Sequence, residues 1–433
     1  MNDVWLLRRK KLAREIPESL VILSSGEPLG DAPFVPDSNF FYLTGIEEPG
    51  VVALLRTAQK RLHYTLFWKE SDQKQKVWEG PRLGCQEAKV RYGAQRVQAL
   101  PRLEKELYKY IEGVDRIYCT LGSNPGLDKL IIQSRDGLCK KRFMPYQIPF
   151  AIHDLSALLE SMRIFKDEHE LDCLNKAIAI TTEAYRQVMA KTLPGMYEYE
   201  VEALLFYVFR QAGAQGLSFP SIVASGANAT VLHYHRNDCR IEPNSLLLVD
   251  AGAKYNGYGA DVTRTWPISG KFNKAQRAIY QAVLDAQSQA IREVRPGVEV
   301  RHCHEVAVRV LTEHLLRLGL LSGKVDEVIA KKKFEKFYMH RTGHFLGIDV
   351  HDLGGFYRPK RQPRIFEPGM VVTVEPGLYI SPEYRDVPAD FVGIGVRIED
   401  DVLVTNDGCQ ILTAQIPKEI EAIEALLQAS RSR

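Results

Sequence analysis

Two eleven-residue stretches of the chain are written in one pattern. EPNSLLLVDAG at 242–252 and EPGMVVTVEPG at 367–377 both read Glu-Pro, a turn, an apolar run, a carboxylate, one residue and Gly. A run that is apolar at successive positions suits a strand covered on both faces. Each run nevertheless ends on an acid, Asp250 or Glu375, and the two acids lie 125 residues apart. A carboxylate carried into an apolar interior is costly unless a cation or strong hydrogen bonds compensate it. The fold must therefore bury two equivalent strands and bring a compensating charge to their ends.

The flanking sequence repeats as well. After Asp167, apolar residues recur at a helical period, at Leu171, Leu174, Ile178, Thr181, Tyr185 and Val188. Asp167 and Glu170 are spaced as a capping box, and Pro194-Gly195 is the stop. A further helix follows, with Val201, Leu204, Leu205, Val208 and Phe209 on one face and Gly213 beyond its end. Two more helices are predicted over 273–294 and 299–319, joined by Arg295-Pro296-Gly297. Helix, Pro-Gly, helix thus occurs twice, as expected of two related halves meeting at a central site. Ahead of them, SLVILSSG and GVVALLRT read as strands, EEPG and SNPG as turns, and NFFYLTG as an aromatic-rich segment ending on glycine. The expected organisation is a smaller α/β domain over 1–155, then an α+β domain over 156–433 with an internal pseudo-two-fold repeat.

A length of 433 residues exceeds one ordinary core, in keeping with two domains. With 57 basic against 54 acidic residues and no basic run that stands out, neither nucleic acid nor an anionic membrane is expected as a partner. No stretch reaches the roughly 18 apolar residues of a membrane span. The opening MNDVWLLRRKKLAREIPESL has no long apolar core and no small-residue cleavage site. It reads as an amphipathic helix rather than a signal peptide, and the acids Asp3, Glu15 and Glu18 count against a transit peptide. The seven cysteines are odd in number and scattered, with no CxxC, which points to reduced thiols in a cytoplasmic protein.

Two further acids stand behind the repeated ones. Asp261 lies 11 residues after Asp250 in DAGAKYNGYGADVTR, whose Gly- and Tyr-rich middle reads as a turn that sets both acids on adjacent strands. Glu399 follows Glu375 in GIGVRIEDD, a strand by its alternation. Four converging carboxylates repel one another and take up protons, and two divalent cations would neutralise them. Three of the 11 histidines, His340, His344 and His351, fall within MHRTGHFLGIDVHD, and His344 adds one nitrogen ligand. One imidazole with four carboxylates is a hard, oxygen-rich set that favours Mn²⁺, with Co²⁺, Zn²⁺ or Fe²⁺ as the other candidates. Two such ions can make water nucleophilic near neutral pH.

The motifs DAGxxxxGYxxDxTRT, HxxGHxLGxDVHD, TVEPGLYI and GIGVRIEDD resemble the metal-dependent pita-bread peptidases, a family that includes aminopeptidase P, prolidase and, more distantly, methionine aminopeptidase. They follow the family's order from about residue 155 to 415, and SNFFYLTGIEEPG and WEGPRLG resemble the N-terminal domain of aminopeptidase P. The resemblance implies a pita-bread fold in which Asp250, Asp261, His344, Glu375 and Glu399 ligate two metal ions, His344 on only one of them. It implies that His233 in VLHYHRND lines the substrate site, that His340 and His351 contact substrate and stabilise the transition state, and that Arg397 lies near the metals. Glu375 would also accept the proton of the nucleophile. The implied substrates are proline-containing peptides, cut after the residue preceding proline by a homo-oligomer, dimer or tetramer. Gly343 and Gly347 are expected to let the backbone turn so that the three imidazoles converge. Arg341-Thr342 departs from the small or apolar residues that relatives often carry, which alters the pocket's edge without touching a ligand.

The ligand motifs are common to prolidase, which takes dipeptides; the N-terminal segments favour aminopeptidase P over it and over methionine aminopeptidase. A non-catalytic peptide-binding relative would lose ligands, and creatinase works without metal, so the full carboxylate set counts against both. Elsewhere, His235 is expected to be structural or peripheral, His302 and His304 surface or packing residues of a helix, Asp400 and Asp401 solvated, and Tyr379 a core residue with at most a minor part in the site.

Overall fold

The computed structural model describes residues 4–28, 30, 33–58, 61–140 and 147–431. The chain divides into two compact units, Met1–Met162 and Arg163–Arg433.

The first unit is built on a six-stranded mixed sheet. Its spatial order is Arg96–Ala99, Arg61–Trp68, Val52–Ala58, Ser19–Ser24, Arg116–Cys119, Ala151–Asp154. Ser19–Ser24 and Val52–Ala58 are the two strands expected from their apolar runs, and they pair antiparallel with Ser19 opposite Thr57. The helices Leu103–Ile111 and Pro125–Cys139 place Leu107, Ile111, Leu127 and Ile131 in one core with Leu20, Ile22 and Leu54 of the sheet. The aromatic segment between the two strands is a short helix, Ser38–Thr44. Asp37 caps it by accepting from the Phe40 amide at 2.8 Å. Gly45 closes it at a φ of 66°, in the left-handed region that glycine tolerates best.

The second unit contains the duplication. Helices Glu168–Lys191 and Glu198–Gln211 precede one three-stranded antiparallel sheet, in the order Val262–Pro267, Leu246–Ala251, Ile222–Ser225. Helices Lys274–Arg292 and Val300–Arg317 precede the other, Val371–Val374, Asp400–Val404, Cys409–Ile411. The Asp167–Glu170 capping box is present, with Asp167 accepting from the Glu170 amide at 2.9 Å and Glu170 from the Asp167 amide at 3.1 Å. Both echoed strands are buried along their length. A fully buried Leu or Val contributes about 1.5–3 kcal/mol, which is what lets these strands carry charged ends into the interior. Asp250 pairs opposite Thr263 and Ala251 opposite Val262, so the next step sets Asp261 across from Gly252, two residues beyond Asp250. Val374 pairs opposite Asp400, so one step further Glu375 faces Glu399. Two equivalent hairpins therefore deliver an acid pair each. Among the described residues, no helix is long and apolar enough to cross a membrane.

Candidate metal centre

A cavity of about 720 Å³ opens in the second unit where the two sheets present these hairpin ends. Its wall includes all nine residues singled out in the sequence: His233, Asp250, Asp261, His340, His344, His351, Glu375, Arg397 and Glu399.

Ligand atoms of Asp261, His344 and Glu399 all lie within 4.8 Å of one another. His344 Nε2 is 3.3 Å from Asp261 Oδ2 and 3.7 Å from Glu375 Oε1. Its Nδ1 is 3.0 Å from the Phe345 carbonyl, which can only accept, so Nδ1 carries the proton and Nε2 presents a lone pair. A lone pair facing carboxylate oxygens is unfavourable unless a cation lies between them. Asp250 Oδ1 is buried with no hydrogen-bond partner among the described residues. Burial, then the charges of Asp250 and Asp401, push the Asp261 carboxyl well above the ordinary range. Burial, then Asp261 and Glu375, do the same to Glu399, and burial raises Glu375. An oxygen-rich set with one nitrogen, whose crowded buried acids resist ionisation without a nearby positive charge, fits a divalent cation.

The surrounding residues hold this set in place. Arg397 Nη2 donates to Asp250 Oδ2 at 2.7 Å, and its Nε to Thr263 Oγ1 at 3.1 Å. Thr263 in turn donates to Glu399 Oε2 at 2.7 Å. Arg397 Nη1 donates to the Tyr379 hydroxyl at 3.1 Å, and that hydroxyl lies 2.8 Å from His340 Nε2. His340 Nδ1 faces the Arg341 carbonyl at 2.7 Å and must be the protonated nitrogen. Tyr379 therefore donates to His340, and both ring nitrogens are engaged. Burial and the Arg397 charge push His340 down to about 3, so it is neutral. His351 stands edge-on to His344 with ring centroids 4.3 Å apart. Beside it, burial alone would raise Asp352, but Lys166 at 2.9 Å and Arg163 hold its carboxyl below the ordinary range.

The structure corrects several sequence expectations. Gly343 and Gly347 have no positive φ. They are required by close approach instead: a Cβ would stand 1.9 Å from the Thr373 carbonyl oxygen at Gly343, and 2.0 Å from Asp352 Oδ2 at Gly347. The contact at Gly343 exists because residues 342–344 lie along the strand, with the Glu375 amide donating to the Thr342 carbonyl at 2.7 Å and the Thr373 amide to the His344 carbonyl at 2.9 Å. Asp400 and Asp401 are wholly buried rather than solvated. Asp400 accepts from Arg264 at 2.7 Å and Lys418 at 2.6 Å, and Asp401 accepts from the Asp261 amide at 3.2 Å. The cations that make this possible for Asp400, and the Asp261 amide that meets Asp401, are distant in sequence, so the EDD run alone could not reveal it. His304 is in the cavity wall, 2.9 Å from Thr342 Oγ1, whereas His302 is exposed beside Glu305. His235 reaches the cavity with His233. Tyr379, the link between Arg397 and His340, was under-read because a tyrosine within GLYI looks like core.

A different acidic group, Glu198, Asp238 and Cys239, is close enough to suggest a metal. Glu198 is already saturated. It accepts from Ser225 N and Oγ at 2.7 and 2.8 Å, Asn228 at 3.0 Å, Tyr234 at 2.8 Å and the Cys239 amide at 3.0 Å. Its charge fastens the segment that carries His233.

Both parts of the chain have known counterparts. Residues 172–406 match Metallopeptidase family M24, and residues 6–118 match the aminopeptidase P N-terminal domain. The chain is similar to the Xaa-Pro aminopeptidase of Escherichia coli, 39% identical over 93% of this chain and 90% of that one. It is also similar to the mitochondrial intermediate cleaving peptidase 55 of Arabidopsis thaliana, 33% identical over 98% and 83% of the two chains. Among solved structures, it superposes on Pseudomonas aeruginosa aminopeptidase PepP with a TM-score of 0.95 at 40% identity, covering 99% of this chain and 98% of that one. A variant of Escherichia coli aminopeptidase P in complex with substrate gives a TM-score of 0.94 at 37% identity, covering 99% of each. The chain belongs to metallopeptidase family M24 and carries the N-terminal domain of aminopeptidase P.

Proposed function

We propose that the protein is an Xaa-Pro aminopeptidase that uses two divalent ions, Mn²⁺ by preference, held by Asp250, Asp261, Glu375, Glu399 and His344. The observation that carries this reading is the His344 Nε2 lone pair facing Asp261 and Glu375 among buried carboxylates. Similarity to Xaa-Pro aminopeptidases over both parts of the chain supplies the substrate class.

Ions held by Asp250, Asp261, Glu375, Glu399 and His344 would supply Lewis-acid polarisation of the scissile carbonyl and a water acidic enough to attack at neutral pH. The X–Pro bond is a tertiary amide with no N–H, so peptidases that require that donor fail on it. Its nitrogen must gain a proton as the bond breaks. In this reading Glu375, one of the metal-holding carboxylates in the cavity wall, takes the nucleophile's proton and passes it toward the proline nitrogen. Burial and the neighbouring His344 and His233 keep His351 neutral, so it can donate one N–H to the developing oxyanion. His233 places the substrate with it. His340 has both nitrogens engaged and presents its ring to the substrate. Arg397 holds the Asp250 charge and, through Tyr379, the orientation of His340.

The same reading includes a cytoplasmic setting, supported by seven free cysteines, and a homo-oligomer, dimer or tetramer, as the family resemblance implies. Ala-Pro, Ala-Pro-Ala and longer X-Pro peptides, offered to the Mn²⁺-loaded protein, test the assignment. Faster cleavage of the longer peptides with release of only the first residue is expected; cleavage confined to Ala-Pro makes the protein a dipeptidase.

A further inference from the structure

Two arginines, Arg341 and Arg397, are the only Lys or Arg side chains among the described residues of the cavity wall. They are in different states. Arg397 is buried and bound to Asp250 and Tyr379. Arg341 is exposed to the cavity, and among the described residues it has no carboxylate or hydrogen-bond partner for its guanidinium. Its one side-chain contact of note is the Phe356 ring, 5.6 Å from the guanidinium carbon to the centroid. An aromatic face steadies a guanidinium without consuming its N–H donors.

The wall carboxylates are already committed. Asp352 is held by Lys166 and Arg163, and Asp250 by Arg397. Asp261, Glu375 and Glu399 belong to the candidate metal centre. The cavity is therefore polarised: acids at the metal centre, and an unpaired planar cation on the wall made by Phe356 and His304. After burial, the Arg341 charge is the largest influence keeping His304 neutral, so its field is felt inside the wall. A peptide whose amine lies at the metal centre would meet Arg341 with whatever group projects to that wall.

We propose that Arg341 is a specificity-determining residue that pairs with a substrate carboxylate, so that the enzyme prefers X-Pro peptides carrying an acid within reach of the Phe356 wall. This rests on the aminopeptidase reading above. The carboxylate has two sources, the C-terminus of a short peptide or an Asp or Glu side chain, and the guanidinium fork suits both.

The test compares kcat/KM within three matched pairs on the full-length, Mn²⁺-loaded protein: Ala-Pro-Ala and its amide, Ala-Pro-Glu-amide and Ala-Pro-Gln-amide, Glu-Pro-Ala-amide and Gln-Pro-Ala-amide. At least one acid-to-neutral ratio is expected at roughly five- to tenfold in low salt, the scale of a partly exposed pair of about 1 kcal/mol. The pair that shows it identifies the source. The ratio should fall toward one in Arg341→Gln, hold partly in Arg341→Lys, and shrink as salt is raised. Ratios near one for all three pairs in the native protein, or a preference that survives in Arg341→Gln, overturn the proposal alone. No cleavage of any of the six peptides overturns the aminopeptidase reading and this inference with it.

Discussion

The Arg397 guanidinium donates to Asp250 Oδ2 at 2.7 Å across 147 residues of sequence, tying a strand of one half of the duplicated unit to the echoed strand of the other. With Arg397 removed, Asp250 is left in the acid cluster without its cation. Breaking a buried pair from one side costs about 3–5 kcal/mol. Arg397→Met should therefore destabilise the metal-free protein by about that much, and the Mn²⁺-loaded protein by less, because bound ions share the neutralisation. Denaturant unfolding with and without Mn²⁺ measures both. Equal losses in the two states would contradict shared neutralisation.

Tyr379→Phe removes one hydroxyl that serves two buried groups, Arg397 Nη1 and His340 Nε2. Leaving buried polar groups unsatisfied costs about 1–3 kcal/mol each. A lowered thermal midpoint is expected, with kcat reduced more than KM is raised, since His340 loses its orientation rather than its place. Unchanged stability and unchanged kcat would show that the chain of three residues is incidental.

Gly343→Ala should damage the site through the backbone. The added methyl meets the Thr373 carbonyl oxygen at 1.9 Å, which a flexible side chain could relieve and a strand carbonyl cannot. The strand leading to Glu375 must shift, and His344 with it. Poor folding, or a folded protein with metal affinity at least tenfold weaker, is expected by calorimetric titration of Mn²⁺. By contrast Gly408→Ala, where nothing lies within 4 Å, should be silent.

Acid should weaken the fold partly through His304. Burial pushes its imidazole from 6.5 down to about 4, so the folded state holds it neutral. Above 6.5 neither the folded nor the unfolded state protonates it, and its contribution is fully present. As pH falls from 6.5 to 4 the unfolded chain takes up the proton first, and stability is lost progressively, by on the order of 3 kcal/mol. His304→Asn should flatten that part of the stability–pH curve. A variant with the same slope as the parent would place the acid sensitivity elsewhere.

How far the sequence discloses this arrangement depends on range. The duplication, the Asp167–Glu170 capping box and the acid-ended strands were legible because each is written in a few consecutive residues, and the histidine segment because three imidazoles in one short run are rare. What escaped were contacts that no short run of sequence displays. Asp400 read as solvated because Arg264 and Lys418 are not adjacent to it, and Asp401 because the Asp261 amide it accepts from lies 140 residues away. Gly343 and Gly347 read as hinges because a neighbouring strand's carbonyl and a carboxylate are invisible to local pattern. His304 read as a surface or packing residue of its helix because the wall it faces includes Tyr338 and Thr342, outside that helix.

The most direct measurement is of metal content and cleavage on one sample. Protein stripped with chelator and reloaded with Mn²⁺ is assayed for bound metal, then offered Ala-Pro-Ala and Ala-Ala-Ala. Two ions per chain, release of the first alanine from the proline peptide alone, and loss of that activity with the metal and in His344→Ala are the expected results. Cleavage that persists in chelator, or equal cleavage of both peptides, would contradict a metal-dependent Xaa-Pro aminopeptidase.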